Sequence, residues 1–229
     1  LVGGVLYNNT DNALRFFKSG FSEAMRINSS GALGIGRDPA ALLHLESSEP
    51  EIRFTYTGNS GYAHIKSDNN AELIFSAGTT TGTERMRIDS TGAVTMPAQP
   101  AFSAYLGSNQ SIAQSSTTLV TISSEEFDIG NNFNTATYRF VAPIAGRYLF
   151  TAAIQYAGGS PYAGTAHSNI YVNGGTRNDG WVDFGTAVAS TQSRVFNLAA
   201  NDYVQLYAHI SPAGTMSSNR AKLTGFLIG

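Results

Sequence analysis

Catalysis and metal binding need particular side chains at particular spacings, and this chain supplies few of them. Its four histidines, His44, His64, His167 and His209, are scattered, with no His-x-x-x-His or carboxylate–histidine spacing of the kind that holds zinc. Cys is absent, which removes thiolate zinc sites, cysteine nucleophiles and disulfide frameworks together. The run Gly158-Gly159-Ser160-Pro161 lacks the glycine that follows the serine in a nucleophile elbow. GALGIG, from Gly31 to Gly36, is not a dinucleotide fingerprint. These patterns predict a protein that is not an enzyme and that carries no metal and no cofactor. Glu125, Glu126 and Asp128 form the one acidic cluster whose oxygens suit calcium, with a solvated loop as the competing reading. Asp202 reads as the cap of a turn before a strand.

Binding chemistry is better represented. The lone Trp181 stands in NDGWVDFG, from Asn178 to Gly185, with Asp179 and Asp183 beside it and Arg177 ahead of it. An indole among glycines and short polar side chains can stack on the apolar face of a sugar while Asp and Asn meet its hydroxyls. A strand or seam position for Trp181 is the alternative. The glycine-rich stretch YAGGSPYAG, from Tyr156 to Gly164, offers two further rings, Tyr156 and Tyr162, on a segment with the vocabulary of an adaptable binding loop or of an ordinary turn.

The elements that must position these residues are strands. No segment holds an apolar 3.6-residue period for three turns, whereas alternation recurs at Met25 and Ile27, Ile52 and Phe54, Tyr138 and Phe140, Tyr148 and Phe150, and Val204 and Leu206. With 24 Gly among abundant Ser, Thr and Asn, the chain reads as short strands with frequent turns, hence all-β. Hydrophobic residues at 42% suffice for real cores, and charged residues at 13% are about half the usual share. A net charge of −2 argues against nucleic-acid partners and membrane-surface binding. No apolar run approaches the roughly 18 residues of a membrane span. The start at Leu1, without Met or a signal-peptide pattern, predicts a piece of something longer.

An internal repeat organises the first hundred residues. EAMRINSSGAL, from Glu23 to Leu33, reappears as ERMRIDSTGAV, from Glu84 to Val94. Upstream, LRFFKSG (Leu14 to Gly20) is similar to LIFSAG (Leu73 to Gly78). Two copies are too few to bury their own apolar faces, which predicts burial between identical chains. Arg26 and Arg87 occupy equivalent positions, and pairing with Glu23 and Glu84 of neighbouring strands is expected. Pro97 and Pro100 in Met96–Phe102 mark a boundary. Beyond it charge thins, to six basic and six acidic residues over 101–229. There Asn173-Gly174 is the clearest hairpin signal, because both central positions of a type I′ turn need positive φ.

Two resemblances follow from these residues. Asp128, Phe133, Phe140, Gly146, Tyr148 and Phe150, the string FVAPIAGRYLF, LAANDYVQLY at Leu198–Tyr207 and the terminal LTGFLIG resemble the C1q/tumour-necrosis-factor-like jelly roll over 101–229. Ile122 and Ala152 stand where that family prefers aromatics. The resemblance implies a trimer about a threefold axis, with Phe226, Ile228, Tyr148 and Phe150 as candidates for its core and seam. ERMRIDSTGAV and GIGRDPAALLHLE (Gly34 to Glu46) resemble shaft segments of phage tail fibres and related bacterial fibre adhesins, which are intertwined trimers.

Together these give an all-β chain: an elongated, intertwined trimeric β shaft at 1–100 and a C1q-like jelly-roll β-sandwich head at 101–229. The function this implies is adhesion by a homotrimeric fibre tip to a cell-surface molecule, with an envelope glycan as the expected partner. Its place would be extracellular, on a virion tail fibre or a bacterial surface. A purely structural trimerisation module is the alternative, and a polysaccharide-degrading tailspike the more distant one.

Overall fold

The computed structural model describes residues 3–55, 58, 61–79, 82–156, 165–176, 189–211 and 214–229. Among them there is no helix, and so none long and apolar enough to cross a membrane. The chain divides into two compact units, 1–97 and 98–229, between Pro97 and Ala98.

The first unit holds two five-stranded sheets. One runs in the order β1 (Gly4–Asn8), β2 (Ala13–Lys18), β3 (Ser22–Ile27), β4 (Leu33–Ile35), β5 (Leu43–Leu45). The other contains β6 (Glu51–Thr55), β7 (Gly61–Ser67), β8 (Leu73–Thr79), β9 (Thr83–Ile88) and β10 (Val94–Thr95), again with chain neighbours paired. The repeat is legible in its turns. Asn28 Oδ1 accepts the amides of Ser30 and Ala32 at 3.1 and 2.9 Å, and Asp89 Oδ1 those of Thr91 and Ala93 at 2.8 and 2.9 Å. Asp68 builds the same turn through Asn70 and Glu72, at 3.0 and 3.2 Å. The third residue after each acceptor has positive φ: Gly31 at 78°, Gly92 at 90° and, without the freedom of glycine, Ala71 at 60°.

The two equivalent arginines pair within their own strands, which corrects the expectation of pairing between neighbouring strands. In a regular strand, residues three apart face opposite ways. Here a bulge intervenes: Phe16 and Phe17 oppose Met25 and Glu23, leaving Ala24 as the extra residue, and Phe75 and Ser76 oppose Met86 and Glu84, leaving Arg85. The extra residue turns Glu23 and Arg26 to one face, and Glu84 and Arg87 likewise. Both guanidiniums then grip their carboxylates with two nitrogens, Arg87 at 3.1 and 2.6 Å. The Arg87 hydrogen bonds hold the Glu84 carboxyl below its ordinary range. Packing in this unit is thin. Of the buried apolar side chains among the described residues, only Ala13, Ala32 and Ile74 belong to it, while Val5, Leu6, Tyr7, Phe21, Leu42 and Phe54 are exposed.

The second unit is a sandwich. Its strands are β11 (Ala101–Leu106), β12 (Gln110–Ile112), β13 (Ser116–Leu119), β14 (Ile122–Ile129), β15 (Phe133–Asn134), β16 (Arg139–Val141), β17 (Gly146–Gln155), β18 (Thr165–Val172), β19 (Gly175–Thr176), β20 (Ala189–Leu198), β21 (Tyr203–Ser211), β22 (Gly214–Met216) and β23 (Ala221–Leu227). One sheet has the order β14-β11-β23-β17-β20. The other has the order β15-β16-β21-β18-β19, with β13 also on β21, and β12 pairs with β22. Between them lies an aromatic core. Phe102 from the first sheet stacks on Phe133 and Phe140 from the second, at 5.0 and 4.9 Å between centroids, and Phe150 meets Phe140 edge-on at 5.6 Å. Gly225 lets these rings close up: a Cβ there would lie 2.7 Å from the Phe150 ring and 2.8 Å from Phe102.

Local expectations fare unevenly here. Asn173 and Gly174 have φ of 52° and 75°, the hairpin geometry their types dictate. Asp202 caps its turn, accepting the Ala199 amide at 2.8 Å. Tyr138 is not a strand partner of Phe140; it sits at φ 55° in the turn before β16. Gly146 opens β17, and its lack of a side chain makes room for Leu227, whose Cδ1 a Cβ would approach to 2.6 Å.

Candidate functional site

The five-stranded sheet of the second unit has one face on the core and one turned away, and the outward face is graded. Antiparallel partners share a face, so the register reads straight across the sheet. Ile129 opposes Ala101, Ala101 opposes Phe226, Phe226 opposes Leu149, and Leu149 opposes Val195. This is an unbroken apolar row over five strands, roughly 19 Å wide at about 4.8 Å per strand. Phe226 is 46% exposed and Val195 54%. Ile228, also exposed, follows Phe226 by two residues, and the exposed Phe127 stands opposite Ser103 at the end of the next row.

One step along the strands the row becomes hydroxylic, with Ser103, Thr224, Thr151 and Ser193. Thr151 Oγ1 and Ser193 Oγ lie 2.8 Å apart. The next outward row is Tyr105, Lys222, Ala153 and Thr191. Lys222 Nζ donates to Glu126 Oε1 at 2.5 Å and Ser103 Oγ donates to Glu126 Oε2 at 2.7 Å. These bonds lower the Glu126 pKa, the Lys222 contribution being the larger. The face therefore carries the Lys222–Glu126 ion pair on one side of an apolar row and, on the other, Arg147, exposed at the outward parity of β17 two residues before Leu149.

The C1q domain profile matches residues 101–228, more than half of the chain. The chain belongs to the C1q domain family. In sequence, no curated protein matches it. Solved structures similar to the C1q head include the globular domain of the zebrafish complement 1qA protein, at 18% identity over 57% of this chain and 98% of that one, TM-score 0.41. Murine APRIL, from a crystal structure at pH 8.0, is similar at 12% identity over 57% and 99%, TM-score 0.43.

Within the C1q head the expected seam residues separate. Phe226 and Ile228 point outward, whereas Tyr148 and Phe150 are fully buried in the aromatic core of their own chain and present nothing to a partner. The division into core and outward residues has a simple cause: on β17, Tyr148 and Phe150 share the inward parity, and the outward parity belongs to Leu149 and Thr151. Tyr148 is further held by its hydroxyl, which donates to the Ile144 carbonyl at 2.8 Å.

Of the ligand candidates, Arg177, Asn178, Asp179, Trp181 and Tyr162 lie outside the described residues. Tyr156 is described and is 3% exposed, part of the core cluster, which removes it from a solvent-facing binding loop. The acidic cluster does not converge. Glu126 is taken by Lys222 and Ser103, and Asp128 Oδ2 accepts the Phe133 amide at 2.8 Å, tying β14 to β15. Among the described residues no group of three His, Asp or Glu side chains is arranged to hold a metal ion. Two histidines that sequence distance separates, His167 and His209, stand directly opposite each other on β18 and β21, with ring centroids 5.7 Å apart. Sequence reasoning missed Ala101, Ile129, Leu149 and Val195. Their signal was an apolar residue at the outward parity of each strand, which only the pairing register assembles into a row.

Proposed function

We propose that this chain is part of a homotrimeric, extracellular fibre whose C1q head is a tip adhesin, recognising a cell-surface glycan through several equivalent sites at once. The observation that carries the reading is the apolar row Ile129–Ala101–Phe226–Leu149–Val195. An apolar row across a whole sheet, with the Phe226 ring at its centre and no charged side chain within it, has the composition of an interface core. The threefold assembly that resemblance to the C1q family implies would cover it with two further copies. The first unit supports the same reading, because its sheets bury so little apolar surface within one chain. A trimeric tip multiplies weak contacts by effective concentration, which suits a head with little net charge and hence little long-range steering.

The test pairs two measurements on the whole chain. Light scattering coupled to size exclusion gives the assembly, and a glycan array followed by pull-down on intact bacterial envelopes gives adhesion. A trimer that binds an envelope glycan supports the reading. A trimer that binds neither array nor envelope at tens of micromolar makes the chain a structural trimerisation module instead.

A further inference from the structure

The second sheet of the head also turns a face away from the core, and its chemistry is of another kind. On β21 the residues Val204, Leu206, Ala208 and Ile210 are buried, which leaves Tyr203, Gln205, Tyr207 and His209 at the outward parity. Register places Tyr171 of β18 opposite Gln205, and Asn169 opposite Tyr207. The Tyr171 and Tyr207 rings lie 4.0 Å apart between centroids, tilted by 31°. At one end of the face the Arg139 guanidinium lies 4.8 Å from the Tyr203 ring centroid. Tyr171, Tyr203, Tyr207 and Asn169 are all half-buried.

These positions form an aromatic platform fixed on paired strands: Gln205, buried and donating to the Thr137 carbonyl at 3.1 Å, lies between Tyr203 and Tyr207, Asn169 and His209 stand beside Tyr207, and Leu119 and Val141 border the rings on the other side. Along the strands of this sheet Arg139 is the one residue with a permanent charge, and Asp and Glu are absent. A purely apolar partner would leave the tyrosine hydroxyls and the Asn169 amide without hydrogen bonds, at a cost for each buried group. An anionic partner would find a single cation, already over a ring. A neutral sugar matches both features: its C–H faces stack on tyrosine rings, and its hydroxyls both donate to and accept from amide, imidazole and phenol groups. Strand-borne rings are also pre-ordered, so little side-chain freedom is lost on binding.

We propose that the outward face of the six-stranded sheet is the glycan-binding surface of the head, that it takes uncharged hexose units, and that Tyr171 and Tyr207 are its stacking residues, with Asn169 and His209 as hydrogen-bonding partners. The inference rests on the adhesive reading of the head and gives it a place and a ligand class. The two sheets then divide the work, an apolar face meeting copies of the chain and a face of tyrosines and polar groups meeting sugar.

The experiment uses the whole chain on an array of neutral glucose-, galactose- and mannose-containing oligosaccharides beside uronate- and sialate-bearing ones, followed by calorimetric titration of the strongest neutral binder. Wild-type protein should bind neutral sugars. Tyr171→Ala should weaken binding about tenfold, on the scale of one aromatic contact, while Tyr171→Phe, which keeps the ring, should stay within about threefold. Asn169→Ala, read beside thermal melting, gives a second reading if Tyr171→Ala does not fold. Wild-type binding that both Ala variants leave unchanged overturns this surface and leaves the adhesive reading standing. Binding restricted to acidic glycans overturns the ligand class. Failure of the wild type on every glycan removes the adhesive reading and this inference with it.

Discussion

Replacing Phe226 by Ser removes the centre of the apolar row without touching the core, because the side chain points away from it. A phenyl ring presents about 150–250 Å² when fully accessible. With 46% still exposed in the single chain, roughly 70–115 Å² is open for burial by a partner. At about 25 cal/mol per Å² this amounts to about 2–3 kcal/mol for each copy, and a trimer loses it three times. The dissociation midpoint should therefore rise by several orders of magnitude in concentration. The assay is light scattering over a dilution series from the hundred-micromolar to the ten-nanomolar range, beside a thermal melt of the dissociated variant. A smaller loss is expected for Val195→Ser, at the edge strand β20, than for Phe226→Ser. If Phe226→Ser dissociates at the same concentration as the wild type, the outward face of the five-stranded sheet is not the seam and the reasoning fails.

Other consequences follow from single residues. Gly225→Ala forces a methyl against the Phe150 and Phe102 rings and should destabilise the head by about 1–3 kcal/mol in urea unfolding followed by near-ultraviolet dichroism. An unchanged midpoint would mean that the aromatic core is looser than its ring distances imply. Ala71→Gly should stabilise the β7–β8 turn by about 0.5–1 kcal/mol, since Ala71 sits at φ 60°, whereas Gly92→Ala should weaken its turn; hydrogen exchange of the flanking amides reads both signs. Asp89 is held below the usual carboxylate range, chiefly by the Thr91 hydroxyl and then by the Ala93 amide. Its folded pKa is the lowered one, so the stability it contributes is present above the unfolded value of 3.8 and is lost as pH falls through the folded value. The equivalent turn at Asn28 has a carboxamide as its acceptor and does not titrate. Protection of the Ala93 amide should therefore fall below about pH 3.8 while that of Ala32 persists, and Asp89→Asn should abolish the difference. Equal acid sensitivity of the two turns would contradict this assignment.

What could be read from the sequence was what short range decides. The Asn173-Gly174 turn, the strand at Tyr148–Phe150 and the repeat at Glu23 and Glu84 are each fixed by a few adjacent residues. Features set by pairing were hidden. The bulges at Ala24 and Arg85 depend on which residues oppose them, and so does the grip of each Arg on its own strand's Glu. Ala71 conceals a turn that Gly31 and Gly92 advertise, because its backbone conformation is imposed by the Asp68 cap and not by its type. Tyr156 reads as a loop residue from the glycines that follow it, yet it is the last ring of the strand layer and is buried with the core. The outward faces were the least visible. Ile129, Ala101, Phe226, Leu149 and Val195 come from five separate strands, and the tyrosines of β18 and β21 alternate with the aliphatic residues that mark the core.

The assembly is the claim on which the adhesive mechanism depends, and the mass of the undisturbed chain in dilute buffer tests it most directly. Light scattering should return three times the chain mass of 24.3 kDa, held constant through dilution into the low micromolar range. A single species of 24.3 kDa at those concentrations would contradict the seam on the five-stranded sheet, the shared burial of the first unit and the avidity of the tip together.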